Sequence, residues 1–213
     1  MKTAKLLNVV LALALVAVSA RLAMTDNTGI LSSDDKKENR NTGFREFDVN
    51  RQFDGNPFTY FKGKGLLLAV GNKNDYNEMT IGWGALGNIW EKDMAMITVF
   101  VAPARHTFKY MEKAKYFTVM EFDDEHKDIL EYMGTHSGRD GNKAKAMKLH
   151  TCYTEHGTPY FKEAKTVYEC EMIYHAPFDP KGFSDIPKKL YADFPAGIHS
   201  MYMGKIVKAI TRD

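Results

Sequence analysis

The sequence has few of the residues that announce a metal or a disulfide scaffold: two cysteines and two tryptophans in 213 residues. Cys152 and Cys170 by themselves make no metal site of recognised spacing. They can pair in an oxidising compartment or stay as two thiols acting as small hydrophobes, and the sequence leaves both open. An excess of charge is lacking too, since 29 Lys and Arg against 27 Asp and Glu give a formal +2. No basic stripe marks a nucleic-acid surface and no acidic tail marks a cation store. No apolar run reaches the ~20 residues of a stable membrane span. The seven histidines form no H-E-x-x-H and no Cys/His cluster, so no metal site is expected. A P-loop is absent. Ser137, within Gly134-Thr-His-Ser-Gly138, does not sit in a G-x-S-x-G elbow.

What is present suits one sizeable core, with 44% hydrophobic and 12% aromatic residues. Lys2 and Lys5, the apolar run Leu6 to Val18 and the small residues Val18-Ser19-Ala20 follow the order of a secretory signal peptide over 1–20. An exported, periplasmic or secreted protein is expected; an uncleaved anchor or a buried first helix is the other reading of the run. Residues 21–51 are polar and aperiodic, and read as a flexible arm that cannot offset its ordering entropy. The domain is then expected over 52–213.

Leu66 to Val70 reads as a buried strand between Gly65 and Gly71. Asn72 to Glu78 reads as a polar loop. Met94 to Val101, Tyr116 to Phe122, Thr166 to Tyr174 and Met201 to Ile210 read as further strands. Phe108, Met111 and Ala114 share one face of a short helix. Ile129, Leu130 and Met133 form the inner face of another, ended by Gly134, and Lys143 to Lys148 reads as a third. About six clustered strands with two or three inserted helices predict a mainly β, α+β barrel rather than a doubly wound sheet.

Gly82-Trp83-Gly84-Ala85-Leu86-Gly87 is a literal G-x-G-x-x-G. Its context rejects a dinucleotide fingerprint. No helix follows, and Val101 to Thr107 holds no acid for a ribose. The glycines suit tight turns or a close backbone approach to a flat ligand.

Three ordered stretches carry chemistry together: Asn77-Glu-Met-Thr-Ile-Gly-Trp-Gly84, Pro103-Ala-Arg-His-Thr107 and Ser137-Gly-Arg-Asp-Gly-Asn-Lys143. A fourth, Gly197-Ile-His199, precedes the last strand. In this order they resemble the flavin reductase-like family, from about Phe58 to Ile210. The resemblance implies an FMN-binding split β-barrel, a homodimer, and hydride transfer from NAD(P)H to the flavin, with no side chain acting as a general acid. It implies that Arg105, His106 and Thr107 approach the phosphate, which wants positive charge and fixed donors. It implies that Thr80, Ile81 and Gly82 hydrogen-bond the ring edge, beside Asn77, and that Met79 and Trp83 cover the ring. Ser137, Gly138, Arg139 and Lys143 are expected near the flavin, and His199 is the candidate nicotinamide contact.

The sequence departs from the family pattern at Ala102 and Ala104, where Arg and Ser are common, at His106 in place of Tyr, and at Ile198. Each lost hydrogen bond to a charged group is worth about 1.5–3 kcal/mol. A leader beside a flavin motif makes a cytoplasmic nicotinamide an awkward donor. An envelope donor and a redox partner protein are therefore expected as well. The other reading is a barrel that has lost flavin and serves as a non-catalytic binding protein.

Overall fold

The computed structural model describes residues 43–63 and 65–212. The expected signal peptide, and the expected arm as far as residue 42, lie outside the described residues. Ten strands are described: β1 (Arg45–Glu46), β2 (Leu66–Gly71), β3 (Tyr76–Ile81), β4 (Gly84–Asn88), β5 (Ala95–Val101), β6 (Tyr116–Glu121), β7 (Thr151–Tyr153), β8 (Pro159–Phe161), β9 (Thr166–Pro177) and β10 (Ser200–Thr211). Five helices accompany them: α1 (Val49–Gln52), α2 (Phe108–Met111), α3 (Lys127–Thr135), α4 (Lys143–Ala146) and α5 (Asp185–Ala192).

The strands pair antiparallel in the order β3-β2-β6-β9-β10-β5-β4, with β1 also on β10, and β7 with β8 forms a separate hairpin. The two edge strands, β3 and β4, are consecutive in the chain and are not paired with each other. Gly82 and Trp83 alone connect them, so the backbone steps from one edge of the sheet to the other across an unclosed seam. This is a split barrel, as expected.

Residues Leu66 to Val70 form an unbroken apolar run because β2 is covered on both faces. Leu66, Leu68 and Val70 enter one core cluster with Ile97, Val99, Phe117 and Tyr202. Leu67 and Ala69 enter a second, with Met120, Leu130, Met133 and Phe161. The two-residue period of a strand assigns them to opposite faces. The second cluster fastens α3 onto the sheet through Ile129, Leu130 and Met133, and so fixes where the segment after α3 begins.

Close approach decides the glycine in the middle of β10. Gly204 lies on β10 at a register shift against β9, and a Cβ there would stand 2.4 Å from Phe117 Cζ and 2.6 Å from Cys170 Cβ. Gly204→Ala is expected to destabilise by about 1–3 kcal/mol through overpacking. A lower urea midpoint at unchanged slope checks it.

Several sequence expectations need correction. Residues 43–51 belong to the domain rather than to an arm. Phe44 is buried beneath Tyr160 and Arg212, and β1 pairs with Ile210 and Thr211. Two aromatic anchors, Phe44 and Phe47, outweigh the polar composition around them. The loop expected from Asn72 to Glu78 ends by Tyr76, where β3 starts. Strand β4, the β7–β8 hairpin, and helices α1 and α5 were not expected. The helix expected to end at Gly134 runs to Thr135, and α4 stops at Ala146. Both cysteines are free, Cys170 buried and Cys152 partly so.

Candidate cofactor-binding cleft

A cleft of about 320 Å3 opens beside the seam between β3 and β4. Strand β3 contributes Asn77, Met79, Thr80 and Ile81, and the step to β4 contributes Gly82 and Trp83. The loop before α2 contributes Arg105, His106 and Thr107. The segment from α3 to α4 contributes Ser137, Gly138, Arg139 and Lys143, and His199 enters just before β10. The structure thus gathers every site residue named from the sequence into one cavity.

Their roles differ. Asn77 and Thr107 are buried, and Asn77 Nδ2 donates to Thr107 Oγ1 at 2.7 Å, tying β3 to the loop before α2. Thr107 makes no side-chain cap on that helix. Gly138 packs so tightly on Asn77 that a Cβ would stand 1.9 Å from Asn77 Oδ1 and 3.1 Å from His106 Cδ2. Arg139 Nη1 donates to the Ala104 carbonyl at 3.2 Å, joining the second and third motifs. Thr80 and Lys143 face the cleft but spend donors elsewhere. Thr80 Oγ1 donates to the Leu130 carbonyl, so its proton holds α3 and its lone pairs remain for a ligand. Lys143 Nζ donates to the carbonyls of Glu78 and, at 3.2 Å, Met133, which leaves one of three N–H groups. Of the departing alanines, Ala104 lines the cleft while Ala102 is buried outside it.

The cleft carries Arg105, Arg139 and Lys143 and no acidic side chain. The Arg105 guanidinium makes no ion pair among the described residues. Burial lowers the pKa of His106, and Lys109 and Arg139 add to the effect. Burial also lowers that of His199, with Arg105 adding to it. Burial pushes Lys143 down and Glu78 up. The two histidines therefore favour neutral rings. The unfolded chain takes up their protons more readily, so this contribution to stability is complete above about pH 6.5, the ordinary histidine value, and is lost as pH falls through the lower native values. A falling urea midpoint between neutral and acid pH, shallower in His199→Asn, checks the sign.

Sequence reasoning missed the aromatic side of the cleft. His199 lies 4.9 Å from the Trp83 ring and 5.2 Å from that of Phe194, and its Nδ1 hydrogen-bonds the Tyr191 hydroxyl at 3.0 Å. Phe100 and Phe194 complete the wall. Phe194 and Tyr191 stand in or next to α5, an element without an advance signal, so nothing in the pattern pointed to them.

Residues 67–213 match the family described as flavin reductase like domain. The chain belongs to that family. Solved structures with the same fold include an FMN-binding protein from Thermus thermophilus, determined with bound p-hydroxybenzaldehyde. It is 22% identical at TM-score 0.53, over 68% of this chain and 69% of that one. Flavoredoxin from Methanosarcina acetivorans is 21% identical at TM-score 0.54, over 70% and 68%. An FMN-binding domain of a flavin reductases-like enzyme from Shewanella baltica is 12% identical at TM-score 0.54, over 79% and 76%. No curated protein matches the sequence. For this member of the flavin reductase-like family, FMN fits the residues present. A phosphate dianion would meet Arg105 and Arg139 without an opposing carboxylate, the exposed Gly82 backbone would offer hydrogen bonds, and Trp83 and Met79 would offer apolar contact to the ring.

Proposed function

We propose that the protein holds FMN in this cleft and passes electrons through it as an oxidoreductase. The observation that carries the reading is the convergence of four sequence motifs on one acid-free cavity. Arg105 and Arg139 hold the phosphate, with neutral His106 beside them. The backbone of Ile81 and Gly82 meets the ring edge, Trp83 and Met79 cover it, and Asn77 and Gly138 keep the surrounding loops in register. Bound FMN supplies the electron-transfer chemistry, and the chain supplies position and electrostatics. No side chain is assigned as a general acid. Reading His199 as the nicotinamide contact gives NAD(P)H as donor. Reading the leader over 1–20 as an export signal gives an envelope donor and a redox partner protein instead. A homodimer is part of the proposal, on the strength of the family.

The full chain, purified and titrated with FMN, is expected to show flavin bands near ~375 and ~450 nm, the cofactor's own absorption. Bleaching by NADH assigns the nicotinamide donor, and persistence of the bands assigns another. A colourless protein that ignores FMN removes the proposal. Arg105→Ala is expected to weaken FMN binding about 10- to 100-fold, the worth of a hydrogen bond to a charged group. Sedimentation of the FMN-loaded chain tests the dimer.

A further inference from the structure

A second cavity adjoins the cleft. It is a groove of about 830 Å3 bounded by the Pro57–Lys62 loop, the end of β9 and α5, and it shares Gly82, Trp83 and Phe100 with the cleft. We propose that this groove binds the second substrate, a flat, uncharged, conjugated ring of the quinone class. The proposal rests on the assignment of the smaller cleft to FMN.

Four observations select that occupant. The groove and the cleft share Gly82, Trp83 and Phe100 as common walls, so a molecule in the groove lies beside the flavin site. Aromatic rings dominate the walls. Phe100 stacks on Phe178 at 5.4 Å and 27°, and Phe183 stacks on Tyr191 at 5.5 Å and 14°. Rings so arranged leave faces and edges for a further flat ring. The charged residues lining the groove are one lysine, Lys62, and one aspartate, Asp179, so no net field draws an ion, whereas the cleft is cationic. Volume and lining match a small-molecule site rather than a macromolecular footprint. Phe58, 93% exposed, and Leu190, 46% exposed, stand on the groove lining and leave it open to solvent.

The same wall ties the groove to the cofactor side. Tyr191 lines the groove while its hydroxyl holds His199 Nδ1 in the cleft. A ring seated against Tyr191 therefore touches the residue that orients His199.

Calorimetric titration of duroquinone into the FMN-loaded full chain tests the proposal. Duroquinone is uncharged and planar, with no ring position open to the free thiols. Saturable binding at one site per chain is expected. Leu190→Glu, which places a charge on the groove wall, and Phe183→Leu, which keeps an apolar side chain but removes the ring, are each expected to weaken binding about tenfold or more. Both variants are expected to keep the flavin spectrum and FMN affinity, which also reports that they fold. Equal quinone affinity in the variants and the parent protein overturns the proposal. So does quinone binding only to flavin-free chain with expulsion by FMN. A chain that self-associates through this face, becomes monomeric in Leu190→Glu and takes up no quinone overturns it in favour of a second copy. FMN retained without quinone binding rejects the groove assignment alone, while failure to take up FMN rejects the cleft assignment with it.

Discussion

Lys143→Met is expected to lower stability by about 1–3 kcal/mol, the cost of taking a charged donor from buried backbone carbonyls. Lys143 and Glu78 are each 4% exposed. The lysine answers two backbone carbonyls, one on β3 and one on α3, and stands in the field of the Glu78 carboxyl, which accepts the Ala144 N–H. Burial already pushes Glu78 up and Lys143 down. Methionine fills much of the volume but takes a donor from both carbonyls, leaving that of Glu78 the Asn77 Nδ2 amide at 3.3 Å, and it leaves the carboxyl without a neighbouring cation. Urea unfolding at neutral pH measures the loss. Adding Glu78→Gln is expected to return part of it, since neighbours in one network are not additive. FMN binding is expected to fall with stability in the single variant, because the residue fastens β3, α3 and α4 around the cleft. An unchanged urea midpoint rejects this fastening role.

Gly138→Ala is expected to weaken FMN binding about 10- to 100-fold, because the loop it sits in must shift and small misplacements in a preorganised site are costly. The new Cβ would lie 1.9 Å from Asn77 Oδ1. Asn77 is itself held by its bond to Thr107 and cannot retreat without moving the loop before α2. The turn Ser137–Arg139 must therefore swing outward, carrying Arg139 away from the Ala104 carbonyl. Destabilisation of about 1–3 kcal/mol from overpacking is expected alongside. Gly182→Ala is the control: a Cβ there meets no atom within 4 Å, and both FMN affinity and stability are expected to hold. FMN affinity equal to that of the parent protein in Gly138→Ala rejects the cradle.

The barrel's central strands were legible because their physics is local. Leu66 to Val70, Met94 to Val101 and Tyr116 to Phe122 are apolar and β-branched enough to declare themselves. The edge strand β4 was not, since Gly84 and Gly87 read as turn residues. It exists because Gly84 packs against the Phe61 ring, where a Cβ would stand 2.2 Å away, and because β5 supplies a pairing partner. The β7–β8 hairpin and α5 are short, and each is defined by what it packs against. The arm expected up to residue 51 failed for the same reason, as β1 is a strand only because the end of β10 lies beside it.

By itself the sequence determined which residues meet in the cleft, because ordered motifs at steady separations survive as patterns in one dimension. The tertiary structure alone decided what each of them does there. Thr80 and Leu130 are 50 positions apart, and Asn77 and Thr107 are 30 apart. A donor's partner at such a distance leaves no trace in local composition. The aromatic wall of Phe194 and Tyr191, and the groove behind Trp83, arise where α5 folds back beside the seam. Burial and proximity are properties of the packed chain, and they set both the neutral histidines and the open apolar face.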